Sequence, residues 1–450
     1  MKIIIIGGGI GGYSAALYAA KHNAEVVLIE KEKVGGTCLH RGCIPTKSFL
    51  KDSNFIASAY EAKASGLFDD ICHYQSDVIL QNKNETVDKL HQGVLHLLDN
   101  HKVQLIYDEA SFVNTHEIHL KNANKNMTAD AFIIATGSTP RVLNFVELND
   151  KVYTTDQCFD TLPDKTENIV IVGGGVIGLE LATFYRQLQH NVTIVEAEKS
   201  CASNFDSQAI TQLVGLLKKS GVTVLTSAKV QTINNEECII QLKDSTTRIP
   251  YDRCILAVGR QSSFASLHLE NANVKTSFGV DINEFNQTNQ PHIYAIGDVS
   301  GKSWLAHQAS AMAKIAVEHI VLKQAKPLLS VPMVIYTTPE IAMVGVSGDQ
   351  AKSNEQYNVV KVPVSNNGMH MITNHKRGFI SIVTDQDERI VGATVFSKSA
   401  SEIIHIFSLA IDQKLSLKDV SSMVFAHPSL SEPIHDCVNE PFSMALHSLK

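Results

Sequence analysis

One unit occurs twice in this chain, and its repetition limits the possible folds more than any other feature. Residues 2–12 read KIIIIGGGIGG and residues 168–178 read NIVIVGGGVIG. Each is an apolar strand running into G-x-G-x-x-G: Gly7, Gly9 and Gly12, then Gly173, Gly175 and Gly178. Each continues into a helical pattern (YSAALYAAKH, LELATFYRQLQ) and then a second apolar strand ending in an acid, Glu30 or Glu196. In both copies 23 positions separate the first glycine from the acid (Gly7 to Glu30, Gly173 to Glu196). A lone glycine motif says little. With a strand before it, a helix after it and an acid about 20 residues on, it is a dinucleotide fingerprint. The glycines admit the pyrophosphate backbone to the helix N-terminus, and the acid accepts a ribose 2′-hydroxyl. The two copies also close alike, on DAFIIATG (130–137) and DRCILAVG (252–259). Two Rossmann-type units and two dinucleotides are therefore expected. Glu196 would repel a 2′-phosphate, and the only cation close behind it is Lys199, so the second unit favours NAD over NADP.

The remaining sequence excludes several classes. The 450 residues carry a net charge of −7 with no basic run, which argues against nucleic acid. No apolar stretch approaches the ~18 residues of a membrane span. The opening IIII is too short for a signal sequence and reads as a strand, so a cytoplasmic protein is the simplest expectation. Six cysteines (Cys72, Cys158, Cys201, Cys238, Cys254 and Cys437) are scattered and read as small buried apolar residues.

The other two stand apart, in GGTCLHRGCIPTK (35–47). Cys38 and Cys43 have His40 between them but no second ligand pair, which disfavours zinc, so no metal is expected. A purely structural bridge is unusual in a large cytosolic protein. Bridging them requires a sharp turn, which Gly42 permits, and Pro45 suits the first turn of a helix. Cys43 would then lie at a helix N-terminus, where positive potential favours a thiolate, with Lys47 one turn on. A disulfide beside a dinucleotide unit suggests electrons passing between the two.

That stretch resembles the active site of the class I pyridine nucleotide–disulfide oxidoreductases, and the resemblance covers essentially the whole chain. ATGSTP (135–140) and YAIGDV (294–299) match the family's further FAD segments, and FAHPSLSE (425–432) matches its His–Pro…Glu motif. Within the family, GVIGLE, LAHQA (305–309) and VIYTTPEIAMVG (334–345) most resemble dihydrolipoamide dehydrogenases. Four stretches depart from the pattern: His40-Arg41 stand where Asn-Val is usual, Phe425 replaces a His, GRQSSF (259–264) replaces G-R-x-P-N, and FSLAIDQK (407–414) lacks the family's usual acid and glycine in that helix. These bear on substrate and docking rather than on the redox core.

The resemblance implies an α/β fold with two Rossmann-type domains and a C-terminal α+β dimerisation domain. An FAD domain over 1–145 would be interrupted by an NAD domain over 146–265, resume over 266–331, and be followed by the interface domain over 332–450. FAD would contact Gly7, Gly9, Gly12, Glu30, Thr37, Lys47, Ala110, Thr136, Gly137, Asp298 and Ala306. NAD would contact Gly173, Gly175, Gly178, Glu180, Glu196, Val230 and Gly259. His427, oriented by Glu432, would be the acid–base, supplied to the other subunit's site in a homodimer. Cys38 would meet the substrate, Cys43 would face the flavin, and Lys47 would pair with Glu180. His40 and Arg41 could tune Cys38 or be exposed, and His307 would pack or cap near the flavin. The implied activity is oxidation of dihydrolipoamide by NAD, free or on a lipoylated domain of a 2-oxo acid dehydrogenase complex. Alternatives are an NAD(P)H-dependent reductase of another small disulfide or of mercuric ion, and, in a different class, a flavin-binding accessory or sensor protein.

Overall fold

A computed structural model describes residues 1–71, 73–302 and 304–447, so Cys72 lies outside the described residues. Two five-stranded parallel sheets repeat one topology. In the first, Lys2–Ile6 is central, flanked by Glu25–Glu30 and then Gln104–Tyr107 on one side, and by Ala131–Ile134 and then Ile293–Ala295 on the other. In the second, Asn168–Val172 is central, flanked by Asn191–Val195 and Thr223–Leu225, and by Arg253–Leu256 and Val152–Thr154. Parallel strands covered on both faces carry continuous apolar runs rather than alternation. Ile3, Ile4 and Ile5 accordingly have no exposed surface. Each sheet is accompanied by a three-stranded antiparallel sheet, Ala110–Asn114/Glu117–Leu120/Lys125–Thr128 and Lys229–Ile233/Glu237–Gln241/Thr246–Pro250.

The chain passes from the first unit to the second and back through one ribbon, in which Ser138–Pro140 pairs antiparallel with Arg260–Ser262. Residues 333–397 form a five-stranded antiparallel sheet in the order Met333–Ile335, Glu340–Gly345, Ile390–Ser397, Phe379–Thr384 and Asn358–Pro363. Helix Ala400–Asp412 packs its apolar face, Ile403, Ile404 and Phe407, on this sheet. The five described scattered cysteines are all buried.

The first glycine motif shows why its residues cannot be larger. Gly7 has φ +104°, and a Cβ there would lie 2.3 Å from the Ala135 carbonyl oxygen. A Cβ on Gly12 would lie 1.8 Å from the Gly7 carbonyl oxygen. Strand and helix Ile10–Lys21 therefore touch backbone to backbone at this point. Gly173 and Gly178 repeat both contacts in the second unit.

Gly12→Ala is expected to destabilise the protein by roughly 3 kcal/mol through overpacking. Gly93→Ala, in the middle of helix Ser76–Asn100 with nothing within 4 Å of the new Cβ, should be neutral or stabilise by up to about 1 kcal/mol. Urea midpoints of the two variants test this. Equal midpoints would mean the Gly7–Gly12 approach is not a constraint.

Candidate active site

The cysteine segment forms two helices separated by one glycine. Gly36–Arg41 carries Cys38, Gly42 breaks the run at φ −146°, ψ −107°, and Cys43–Ala64 begins at Cys43 with Pro45 in its first turn. Both cysteines are free thiols and hydrogen-bond to each other. The pair is asymmetric. The Cys38 hydrogen bond, the Lys47 charge and the Cys43 backbone N–H all hold the Cys43 thiol below its ordinary range, against the effect of burial. That hydrogen bond and burial together push Cys38 up. These influences favour the thiolate at Cys43 and the thiol at Cys38.

Lys47 donates to Glu180 at 2.9 Å and lies 4.2 Å above the Tyr336 ring. Glu180, on helix Val176–Gln187, is only 3% exposed, and its other oxygen accepts the Tyr336 backbone N–H at 3.0 Å. The cysteine helix, the second glycine helix and the C-terminal sheet thus converge on one buried charge. Near the C-terminus, His427 Nδ1 and Glu432 Oε1 are 2.8 Å apart. Glu432 also accepts the Ser429 backbone N–H at 2.7 Å. Burial raises the Glu432 carboxyl, but the Ser429 and His427 hydrogen bonds outweigh it and hold the carboxyl below its ordinary value. The His427 side chain is 80% exposed, so it does not pack against either cysteine of its own chain.

The glycine loops fit dinucleotides. Helices Ile10–Lys21 and Val176–Gln187 have Gly9 and Gly175 at their N-caps, with no side chain capping them. A Cβ on either glycine would meet nothing within 4 Å. Open space before uncapped helix N–H groups is what a pyrophosphate requires. The two acids are held identically: Glu30 accepts Gly8 N–H (2.6 Å) and Glu32 N–H (2.7 Å), and Glu196 accepts Gly174 N–H (2.6 Å) and Glu198 N–H (2.7 Å). Each carboxylate retains lone pairs for ribose hydroxyls.

Among the other predicted contacts, Asp298 lies in the 3-10 turn Gly297–Ser300, where Ser138 Oγ donates to it and burial raises its carboxyl. Thr37 lies on the Cys38 helix, and Ala306 opens helix Ala306–Leu322. Thr136 Oγ1 donates to the Ser263 carbonyl, and Gly137 and Gly259 sit at matching turns with φ +71° and +96°. Ala110 and Val230 occupy the first strands of the two three-stranded sheets.

His40 and Arg41 have partners of their own. Arg41 does not act on the thiols; it pairs with Glu32 at 2.8 Å, leaving Lys47 as the cation that lowers Cys43. His40 is not aimed at Cys38 either. It hydrogen-bonds the Val34 carbonyl at 2.8 Å and meets the His91 ring edge-on. His307, in the first turn of helix Ala306–Leu322, is exposed and hydrogen-bonds the Pro332 carbonyl at 2.8 Å. Sequence reasoning passed over Arg260. Its guanidinium reaches Ser138 Oγ (2.8 Å), the Ser138 carbonyl (2.9 Å), Asp156 (3.1 Å) and Thr37 (3.5 Å), tying the ribbon to the Asp298 and Cys38 segments. Its only signal was its place directly after the Gly259 turn.

Residues 1–313 match the pyridine nucleotide-disulphide oxidoreductase family, and residues 331–438 match that family's dimerisation domain. The chain belongs to this family. Its cofactors are FAD and NAD(H), and it is an oxidoreductase of the flavoprotein disulfide type. A dihydrolipoyl dehydrogenase of Bacillus subtilis is 33% identical over 99% of this chain and 98% of its own length. One from Chlamydia pneumoniae is 32% identical, over 95% and 94% respectively. Among solved structures, the HOCl-induced flavoprotein disulfide reductase RclA of Escherichia coli aligns at a TM-score of 0.86 and 25% identity, over 98% of this chain and 99% of that one. LpdA of Mycobacterium tuberculosis aligns at a TM-score of 0.90 with 22% identity over the same shares, a likeness of fold.

Lys47 outweighs Glu180 in its effect on Cys43, so replacing both (Lys47→Met with Glu180→Gln) should move the Cys43 thiolate midpoint to higher pH. Thiolate absorbance of the reduced protein, in a Cys72→Ser background, reads it. Burial pushes Cys201 and Cys238 up to about 11, and Cys158, Cys254 and Cys437 also upward, so they are silent near neutral pH. An unmoved midpoint would assign the low pKa to the Cys38 hydrogen bond alone.

Proposed function

We propose that this enzyme oxidises dihydrolipoamide to lipoamide with NAD as acceptor. The observation that carries the reading is the asymmetric Cys38–Cys43 pair, with Lys47 on the Cys43 side and Glu180 behind it. The relatives named dihydrolipoyl dehydrogenase, matched end to end, support it. The sheet units of 1–145 and 266–331 would hold FAD, that of 146–265 NAD, and the 332–450 unit the subunit contact.

In the oxidised enzyme Cys38 and Cys43 form a disulfide. His427 Nε2 accepts a proton from a substrate thiol while Glu432 holds the Nδ1 proton. The substrate thiolate attacks Cys38 Sγ, and the Cys43 thiolate leaves. The second substrate thiol, deprotonated in turn, displaces Cys38 and closes the lipoamide disulfide. Lys47 and the helix N-terminus stabilise the Cys43 thiolate. FAD, when bound, supplies the two-electron relay from this dithiol to NAD.

The exposed His427 supports a homodimer in which the imidazole enters the other subunit's site. A lipoylated domain of a 2-oxo acid dehydrogenase complex would be the natural carrier of the substrate. A second reading, reduction of another small disulfide or of a metal ion such as mercuric ion by NAD(P)H, draws support from the likeness to RclA, also solved as a Cu(II) complex.

Steady-state NADH formation from dihydrolipoamide tests the proposal, with at least ~100-fold preference for NAD over NADP expected. Glu196→Ser should narrow that preference about tenfold. Cys38→Ser should abolish dithiol turnover yet leave reduction of the flavin by NADH intact, and His427→Gln should cut kcat by ~100-fold or more. A wild-type protein whose flavin is reduced by NADH but which ignores dihydrolipoamide would shift the assignment to the second reading.

A further inference from the structure

The His427–Glu432 pair continues into the protein interior. Asn367, the N-cap of helix Gly368–Ile372, lies between Glu432 and His370. Its Oδ1 accepts the His370 backbone N–H at 3.1 Å and faces His370 Nδ1 at 2.9 Å. Its Nδ2 donates to Glu432 Oε2 at 3.4 Å. His370 is fully buried, and its Nε2 lies 2.7 Å from Ser397 Oγ at the end of strand Ile390–Ser397.

The capping bond decides how this chain is polarised. A backbone N–H must meet an oxygen, so the Asn367 amide has only one orientation, with its NH2 toward Glu432. With Oδ1 facing it, His370 Nδ1 carries a proton, while Ser397 Oγ, which donates to the Lys398 carbonyl at 3.0 Å, lies against Nε2 on the other side. Burial, assisted by the His375 charge, lowers His370 to about 4, so the ring is neutral at physiological pH. His375 in turn feels Lys398 and Glu61. Glu432 meets His427, the Ser429 N–H and Asn367, with His427 as its ionisable partner.

We propose that Asn367 is a positioning residue for the acid–base pair, itself oriented by the buried His370. It fixes Glu432 so that Oε1 faces His427 Nδ1, which leaves His427 Nε2 as the free base. The inference rests on the role proposed above for His427, but it is tested separately from it.

Asn367→Asp keeps the capping oxygen and the shape, but sets an oxygen against Glu432. Asn367→Ser keeps the cap and loses the reach, and serves if the aspartate variant folds poorly. The first readout needs no substrate. Isotope-labelled histidine NMR should show neutral His427 with its proton on Nδ1 in the wild type, moving substantially to Nε2 in either variant, as in Glu432→Gln. The second is kinetic: dithiol turnover should lose ~10-fold or more in kcat, in keeping with loss of a hydrogen bond to a charged group, with KM little changed. NADH oxidation by an artificial one-electron acceptor, which does not use His427, should be unaffected. Combining Asn367→Asp with Glu432→Gln should add nothing beyond Glu432→Gln alone. Folded Asn367 variants with an unchanged His427 tautomer would overturn the inference, whatever the substrate proves to be. A shifted tautomer in a protein that ignores dihydrolipoamide would uphold it and reject only the substrate.

Discussion

The arrangement turns on the ion pair between Lys47 and Glu180. Glu180 is almost without solvent contact, whereas the Lys47 side chain is about one-third exposed. Removing one partner from such a pair leaves an uncompensated buried charge, at a cost on the order of 3–5 kcal/mol where both are fully buried and less here. Its second oxygen takes the Tyr336 N–H, so this carboxylate joins the cysteine helix, the second glycine helix and the C-terminal sheet. A charge that needs three elements to satisfy it specifies how they assemble. After the Cys38 hydrogen bond, the same cation also lowers the Cys43 thiol, so one residue serves both the assembly and the cysteine pair.

Around that point the molecule uses one solution twice. Each parallel sheet sets its glycine strand centrally, opens an uncapped helix N-terminus toward a dinucleotide, and binds its acid through two backbone N–H groups. The two units differ in how they are joined. The first is completed only by a strand far along the chain, Ile293–Ala295, and the Ser138–Pro140/Arg260–Ser262 ribbon carries the chain out and back. Arg260 crosses that ribbon with its donors spread over four oxygens, a use of the planar guanidinium that lysine could not reproduce.

Much of this was legible in the chain because the signals are local. The glycine spacing, the apolar runs on either side, the acid at a fixed distance and the Cys–Gly–Cys–Pro sequence each report on backbone conformation within a few residues. What the sequence left open has a physical reason. His40 and Arg41 lie beside Cys38 in sequence, and proximity suggested influence; but successive helical residues point in different directions, and Arg41 found Glu32 while His40 found the Val34 carbonyl. Tyr336, Arg260 and Asn367 act through partners more than 60 residues away, and nothing in their flanking residues announces those partners.

The sequence alone determined that there are two glycine-motif units and a close cysteine pair at the start of a helix, and which residue types each offers. Gly7 and Gly12 admit only glycine where strand meets helix, and a pyrophosphate needs bare N–H groups; such requirements are written in consecutive residues. The tertiary structure decided which cation lies beside Cys43, which backbone N–H meets Glu180, and which side chains surround Glu432. Those outcomes depend on distances between groups brought together by packing. Electrostatic and hydrogen-bond energies fall steeply with distance and depend on burial, neither of which can be read along a chain.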